Sequence, residues 1–439
     1  MIDVRLEAYK IVHKVLAKNV FSDKLLTQMA KRLKAADSDA NLLYMLVKGV
    51  IKMHHNLDYI ARQYTEPKRF KNTPQKFKLL LYMGLYQMKY CDSIPDHAAI
   101  NETVALAKKL FGTNIANFIN ATLRSYQRNP EIIFPVDKSE NLACRYSFDN
   151  HIIADWLDYW GEENTEKLCK YYNEVPRLNI RVNTLATDRK RLIDYFERRD
   201  ILVEESITSE NMLVTDMVQE VLNDVAFQEG YFSIQDASAA LVVELMQPKM
   251  NESILDLFAA PGGKATYISE LMGNSGELIA VDKFPNKVKK IKQSMERLKI
   301  NNAKLHSSDA FAYGPVAPAF DRVLLDVPCS GWGVFQKKAE LRWQLNQDVP
   351  KLIKLQENAL KLGASFTKPG GFLIYSTCTL NKKENETQIE KFLARNKSFK
   401  LIPASKYIDK DFTENGYLKT LPFVHNMDGA FAAKMQKAE

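Results

Sequence analysis

From about residue 236 the chain alternates short apolar runs with segments at helical spacing. This rhythm limits its fold more than any other feature. The runs ILDLFA, ELIAVD, AKLHSSD, RVLLDVP and GGFLIYST are too continuously apolar to leave one face in water. Strands of that kind, separated by helices such as NKVKKIKQSMERLKI, predict a parallel sheet covered on both faces. In a doubly wound sheet ligands bind beyond the carboxyl ends of the strands, so the residues after each run form the candidate site.

Upstream the pattern changes. Residues 1–130 read as helices joined by polar turns. In DHAAINETVALAKKLFG, Ile100, Val104, Ala107 and Phe111 share a face and Asp96 is the expected N-cap; NIANFINATLRSYQR predicts the next helix. The segment RNPEIIFPVD (128–137) holds two prolines and no periodicity, which predicts a linker. Further on, RLNIRVNTL and ILVEESI flank the helical DRKRLIDYFERRD, a β-α-β run that predicts a small α+β subdomain. At 439 residues more than one core is expected. The organisation predicted is an all-α domain over 1–130, a linker and small α+β subdomain over 131–235, and an α/β domain over 236–439.

Charge is unevenly placed. Residues 1–130 carry 21 Lys and Arg against 10 Asp and Glu, and the remaining 309 residues carry 40 against 43. A basic N-terminal part points to a polyanionic partner, nucleic acid above all. No apolar run reaches ~18 residues, so no membrane span is expected. MIDVRLEAYKIVHKVL carries charges where a signal peptide would be apolar, and a cytoplasmic location is expected. The five cysteines (91, 144, 169, 329 and 378) form no C-x-x-C pair, which argues against a zinc site or a disulfide framework.

The strand ends carry the chemistry. The first run leads into Phe258-Ala259-Ala260-Pro261-Gly262-Gly263-Lys264, whose small residues let a ligand approach the backbone. This is neither G-x-G-x-x-G nor a Walker loop. The second run ends in Asp282, a candidate for ribose hydroxyls, and the third in Asp309, a candidate for an adenine amine. A nucleoside-shaped pocket without a phosphate cradle favours S-adenosylmethionine over a dinucleotide. The fourth run gives Asp326-Val327-Pro328-Cys329 and the fifth Ser376-Thr377-Cys378-Thr379. If these strands are neighbours, two thiols and a carboxylate converge beside that pocket.

Methylation at C5 of a pyrimidine calls for such a set. C5 becomes nucleophilic only after a thiolate adds to C6. An acid near N3 then stabilises the adduct, and a base removes the C5 proton so that the thiol can leave. Lys264 is a candidate source of the positive potential that a thiolate needs. These residues leave open which cysteine attacks.

FAAPGGK, AVD, LLDVPCSGWG and YSTCTLNKKENE resemble the Sun/Nop2 family of RNA cytosine-5 methyltransferases. DHAAINETVALAKK and FINATLR resemble the NusB-like RNA-binding domain that precedes the catalytic domain in its bacterial ribosomal-RNA branch, and LNIRVNTL resembles the family's small subdomain. The resemblance implies a Rossmann-like catalytic domain, with Cys378 as the nucleophile and Cys329 assisting product release. It implies Asp326 and Lys264 against the cytosine, and S-adenosyl-L-methionine held by Phe258 to Lys264, Asp282, Asp309 and Asp326. The implied partner is ribosomal RNA, presenting an exposed loop cytosine to a monomeric enzyme. The chain departs from the family at Trp332 in Ser330-Gly331-Trp332-Gly333, in QKKAELRW (336–343), and at Gly429-Ala430-Phe431. Two other readings remain: a DNA cytosine-5 methyltransferase attacking through Cys329, and an RNA-binding assembly factor without chemistry.

Overall fold

The computed structural model describes residues 3–18, 20–33, 37–314, 320–344 and 348–439. They divide into two compact units, one drawn from 1–174 with 335–345 and the other from 175–334 with 346–439.

The first unit is all helix among its described residues. Its longer helices include Val4–Lys18, Gln75–Tyr90, Asp96–Phe111 and Thr113–Arg128, packed around Val12, Leu46, Leu80, Ile100 and Ile119. Asp96 does not cap its helix: Pro95 holds the cap position, no side chain bonds there, and Asp96 is the first helical residue. An acidic first-turn residue still complements the helix dipole. Within the expected linker, residues 129–137 are free of helix and strand, yet the segment is fastened down. Tyr59 donates to the carbonyl of Ile133 (2.7 Å) and stacks on Phe134. Residues 138–174 form the helix Lys138–Tyr146 and the helical stretch Asn150–Asn173, broken at Gly161 (φ 74°), within this unit, where the sequence reading placed linker and subdomain. Asp137 starts the first of them by accepting from Glu140 N.

Residues 335–344 also belong to the first unit. Arg342 is buried over the ring of Phe148 (3.9 Å) and donates to the carbonyl of Tyr172 and to Asn173 Oδ1, both at 2.9 Å. Trp343 Nε1 donates to the carbonyl of Ile51 (2.6 Å), and Glu340 accepts from Ser22 N (2.7 Å). These side chains of QKKAELRW are thus packing and hydrogen-bonding groups.

The second unit contains two sheets. Strands β1 (Leu178–Val182), β2 (Glu204–Glu205), β3 (Met212–Thr215) and β4 (Phe232–Ile234) form an antiparallel sheet in the order β2-β3-β1-β4, with the helix Arg189–Glu197 against it. Of these, β3 and β4 had no clear alternation in sequence, and only two residues of ILVEESI pair.

The larger sheet follows: β5 (Ser253–Asp256), β6 (Glu277–Asp282), β7 (Ala303–Ser307), β8 (Phe320–Asp326) and β9 (Thr367–Thr377) run parallel in the order β7-β6-β5-β8-β9. It is extended by the antiparallel β10 (Phe399–Ile402), β11 (Thr413–Glu414), β12 (Tyr417–Thr420) and β13 (Ala430–Lys437), which the sequence reading did not assign. The apolar runs are continuous because alternate residues serve two cores. Ile254, Leu324 and Ile374 pack with the helices Ala237–Met246 and Gly263–Leu271, whereas Leu255, Val323, Leu325 and Leu373 pack with Val349–Phe366 and Glu386–Arg395. Strand order reverses at β5, which pairs with β6 on one side and β8 on the other. That reversal opens the crevice where this fold binds ligands. No described helix is long and apolar enough to cross a membrane.

Candidate active site at the carboxyl ends of β5, β6, β8 and β9

The turn after β5 builds one wall. Gly262 sits at φ 105°, a backbone that only glycine adopts without strain, and caps the helix Gly263–Leu271. A β-carbon there would press on Ile291 at 3.2–3.3 Å. The turn is tied to its neighbours by Ala259 N to the carbonyl of Val281 (3.0 Å) and Ala260 N to Asp282 Oδ2 (3.3 Å). Asp282 Oδ1 accepts from Phe284 N (3.0 Å). Both oxygens keep a lone pair for a hydroxyl. Asp309 accepts from Phe311 N (3.0 Å) and pairs with Lys283 (2.9 Å), whose hydrogen bond holds its carboxyl below the usual range. Phe258 and Phe311 meet edge to face, bringing the Asp309 loop to the turn.

β8 and β9 build the reactive wall. Their register sets Asp326 beside Ser376, and Ser376 Oγ donates to Asp326 Oδ1 (2.8 Å) while Lys264 Nζ pairs with Oδ2 (2.7 Å). Burial works against the Lys264 charge. Asp326 outweighs it, with Cys378 and Asp256 adding to the attraction, and the ammonium is held above its ordinary value. Three residues beyond β8 and one beyond β9, Cys329 and Cys378 bring their sulfurs to 3.4 Å, far outside the ~2.05 Å of a disulfide. The Cys329 thiol is pushed well above the ordinary range, first by its hydrogen bond to Cys378 and then by burial. It therefore stays protonated near neutral pH, and either sulfur can be the donor in the contact. Both cysteines remain partly exposed.

The loops carrying the thiols are cross-braced. Glu384 accepts from Ser330 N (3.0 Å) and Gln356 Nε2 (2.9 Å), Ser330 Oγ meets Thr379 Oγ1 (2.7 Å), and Gly333 N donates to the carbonyl of Cys378 (3.0 Å). Gly333 lies so close to its neighbours that a β-carbon would fall 2.0 Å from the carbonyl oxygen of Gly429. Trp332, in the departing motif, is buried.

The structure thus brings together Lys264, Asp326, Cys329 and Cys378, with Phe258 to Gly263 and Asp282 alongside. Asp309 stands at the third strand end, engaged with Lys283. Sequence reasoning missed three groups. Asp256 is buried at the end of β5 with Oδ1 unpartnered, and burial together with Asp326 raises its carboxyl to about 7. Its signal was an acid inside the apolar run ILDLFA. Glu384, raised mainly by burial, was signalled only by lying within six residues of Cys378. Arg181 on β1 carried no signal. It reaches Glu270 (2.6 Å), Thr266 Oγ1 (3.0 Å), the carbonyl of Gly263 (2.7 Å) and Gln235, fixing the base of the turn. Among the described residues no cluster of His, Cys, Asp and Glu could hold a metal ion.

Residues 243–436 match the family described as 16S rRNA methyltransferase RsmB/F, residues 148–220 an RsmF/B-like ferredoxin-like domain, and residues 3–128 the NusB family. Over 455 aligned positions the chain is 35% identical to the probable ribosomal RNA small subunit methyltransferase B of Bacillus subtilis, covering 99% of this chain and 98% of that one. It is 32% identical to the protein of the same description from Synechocystis, covering 100% of both chains. The crystal structure of PH0851 superposes with a TM-score of 0.82 at 25% identity, covering 100% of this chain and 99% of that one.

Proposed function

The chain belongs to the 16S rRNA methyltransferase RsmB/F family, and on that footing we propose that it methylates C5 of an unpaired cytosine in small-subunit ribosomal RNA. The observation that carries this reading is the pair of thiols at 3.4 Å beside the Lys264–Asp326 pair, at the reversal point of the sheet. S-adenosylmethionine supplies an electrophilic methyl group. The site suits it: a tight glycine turn, carboxylates at the ends of β6 and β7, and no basic phosphate cradle. Phe258 to Lys264, Asp282, Asp309 and Asp326 hold it.

The base is splayed out of its strand to reach the thiols. Cys378, in the Thr-Cys motif that the resemblance marks as the nucleophile, attacks C6 as the thiolate, and the raised Cys329 thiol is the poorer nucleophile. The Lys264 ammonium favours that charge, and the Lys264–Asp326 pair stabilises the adduct at the N3 edge of the ring. The electron pair released to C5 would take the methyl group as its bond to the donor's sulfonium breaks, leaving S-adenosylhomocysteine. A base then takes the C5 proton, whose bonding pair restores the 5,6 double bond and expels Cys378 as the thiolate, with Cys329 assisting this release.

The test is transfer of labelled methyl from S-adenosylmethionine to small-subunit RNA, mapped with bisulfite. Cys378→Ala is expected to abolish turnover, and Cys329→Ala to accumulate a covalent protein–RNA adduct on denaturing gels. The opposite pattern would exchange the two roles. The absence of C5 methylation by the unaltered protein would overturn the reading.

A further inference from the structure

The helical unit contains a cavity of about 430 Å³, within the ~300–1,000 Å³ typical of ligand sites. His13, His54, His55, Asp58, Gln75 and Trp343 are among its lining residues. Trp343 stacks nearly parallel on His55 (centroids 6.2 Å apart, planes at 13°) and lies 5.5 Å from His54. On the same helix, Val4–Lys18, Lys10 and Lys14 line an adjoining groove of about 510 Å³ together with Arg32. One helix therefore separates a basic groove from a cavity walled by flat rings.

The two compartments suit different parts of one strand. The groove offers cations, and its floor includes Ile11, Leu25 and Met29. The cavity differs: beside Arg62 it holds the carboxylates of Asp58 and Asp149, and the buried imidazoles of His54 and His55. Burial pushes His54 down to about 4 and lowers His55, so both rings are neutral near pH 7. Gln75 Nε2 lies 3.2 Å from His54 Nε2. Because a neutral His54 accepts there and Tyr82 also bonds the same amide, Gln75 keeps its carbonyl oxygen for another partner. Asp58 accepts from Tyr82 and Arg62, and its two oxygens have further lone pairs. Flat rings that stack, an amide carbonyl and an acceptor carboxylate are the groups that read an unpaired base.

We propose that this cavity binds one unpaired nucleobase carrying an exocyclic amine, from the substrate RNA, while the Lys10–Lys14–Arg32 groove holds the adjoining phosphates. The proposal rests on the RNA-methylation reading above and adds a second reading point, remote in sequence from Cys378. Carboxylates accept from the amines of cytosine, adenine and guanine, and uracil has none.

The experiment uses the full chain with two unpaired probes of equal length, oligocytidylate and oligouridylate. Oligocytidylate is expected to quench Trp343 emission, identified as the quenching that Trp343→Phe abolishes. Oligouridylate is expected to bind at least about tenfold more weakly, the discrimination of one good base contact. Ala17 lies exposed at the rim of the cavity. Filling the rim with Ala17→Phe is expected to raise the KM for RNA about tenfold, the loss of one stacked base, while the KM for S-adenosylmethionine stays at its original value. Equal binding of the two probes, or an unchanged KM for RNA in an Ala17→Phe enzyme that still methylates, overturns the proposal. A protein that binds oligocytidylate with this Trp343 response but methylates no cytosine supports the cavity and sinks the functional reading alone.

Discussion

Ser376 donates its hydroxyl to Asp326 across the parallel pair that joins β8 to β9, and Lys264 takes the other oxygen of the same carboxylate. The carboxylate is thereby held by both ends with its plane fixed. Ser376→Ala frees one oxygen in a largely buried place. Because a hydrogen bond to a charged group is worth about 1.5–3 kcal/mol, kcat is expected to fall roughly 10- to 100-fold. The Kd for S-adenosylmethionine should stay within about twofold of its starting value. Steady-state kinetics with calorimetric binding checks both halves.

The asymmetry of the two thiols is open to direct chemistry. A thiol held protonated is a poor nucleophile, and Cys329 is pushed well above the ordinary range by Cys378 and by burial. Brief alkylation with iodoacetamide at pH 8 is expected to label Cys378 ahead of Cys329, read by peptide mass spectrometry. In Cys378→Ala the hydrogen-bond partner is gone, and Cys329 should become the faster-labelled residue relative to the unaltered protein.

Asp256 makes stability depend on pH. Its folded carboxyl is raised from 3.8 to about 7, so the folded state binds the proton more tightly than the unfolded chain. Its contribution is complete below about pH 4, is lost progressively as pH rises toward 7, and levels off above that. Asp256→Asn removes the titration. The Tm difference in favour of the variant is expected to widen between pH 4 and pH 7 and then stay constant. A difference that does not change with pH would contradict it.

Arg181 and Glu270 form an ion pair with no exposed surface. Removing one member leaves the other charged and buried, which costs about 3–5 kcal/mol. Arg181→Met alone should therefore lower Tm sharply, and Arg181→Met with Glu270→Met should recover much of the loss. Binding of S-adenosylmethionine should remain weakened in the double variant, because the Gly263 carbonyl and Thr266 still lack the guanidinium.

The parallel sheet was legible because Ile254 and Leu255, or Val323 and Leu324, serve opposite cores and so write an unbroken apolar run. Asp282, Asp326, Cys329 and Cys378 were legible as the residues that end such runs. Asp96 misled, since a side chain that favours a helix start occupies either the cap or the first turn, and Pro95 decides between them. β3 and β4 are short and drawn into register by β1, a tertiary effect with no local pattern of its own. Glu384 and Arg181 take their meaning from partners 54 and 89 residues away, Ser330 and Glu270, which no window of sequence contains.

Arg342 gives the helical unit a dependence in time. Its guanidinium bonds the carbonyls of Ser147 and Tyr172, groups synthesised well before it. At ~5–20 residues per second, that place on the growing chain waits on the order of ten seconds or more for its occupant. Until then the N-terminal helices leave the ribosome as an unfinished body whose last segment is encoded inside the catalytic half. A truncated chain ending near residue 174 is therefore an incomplete domain.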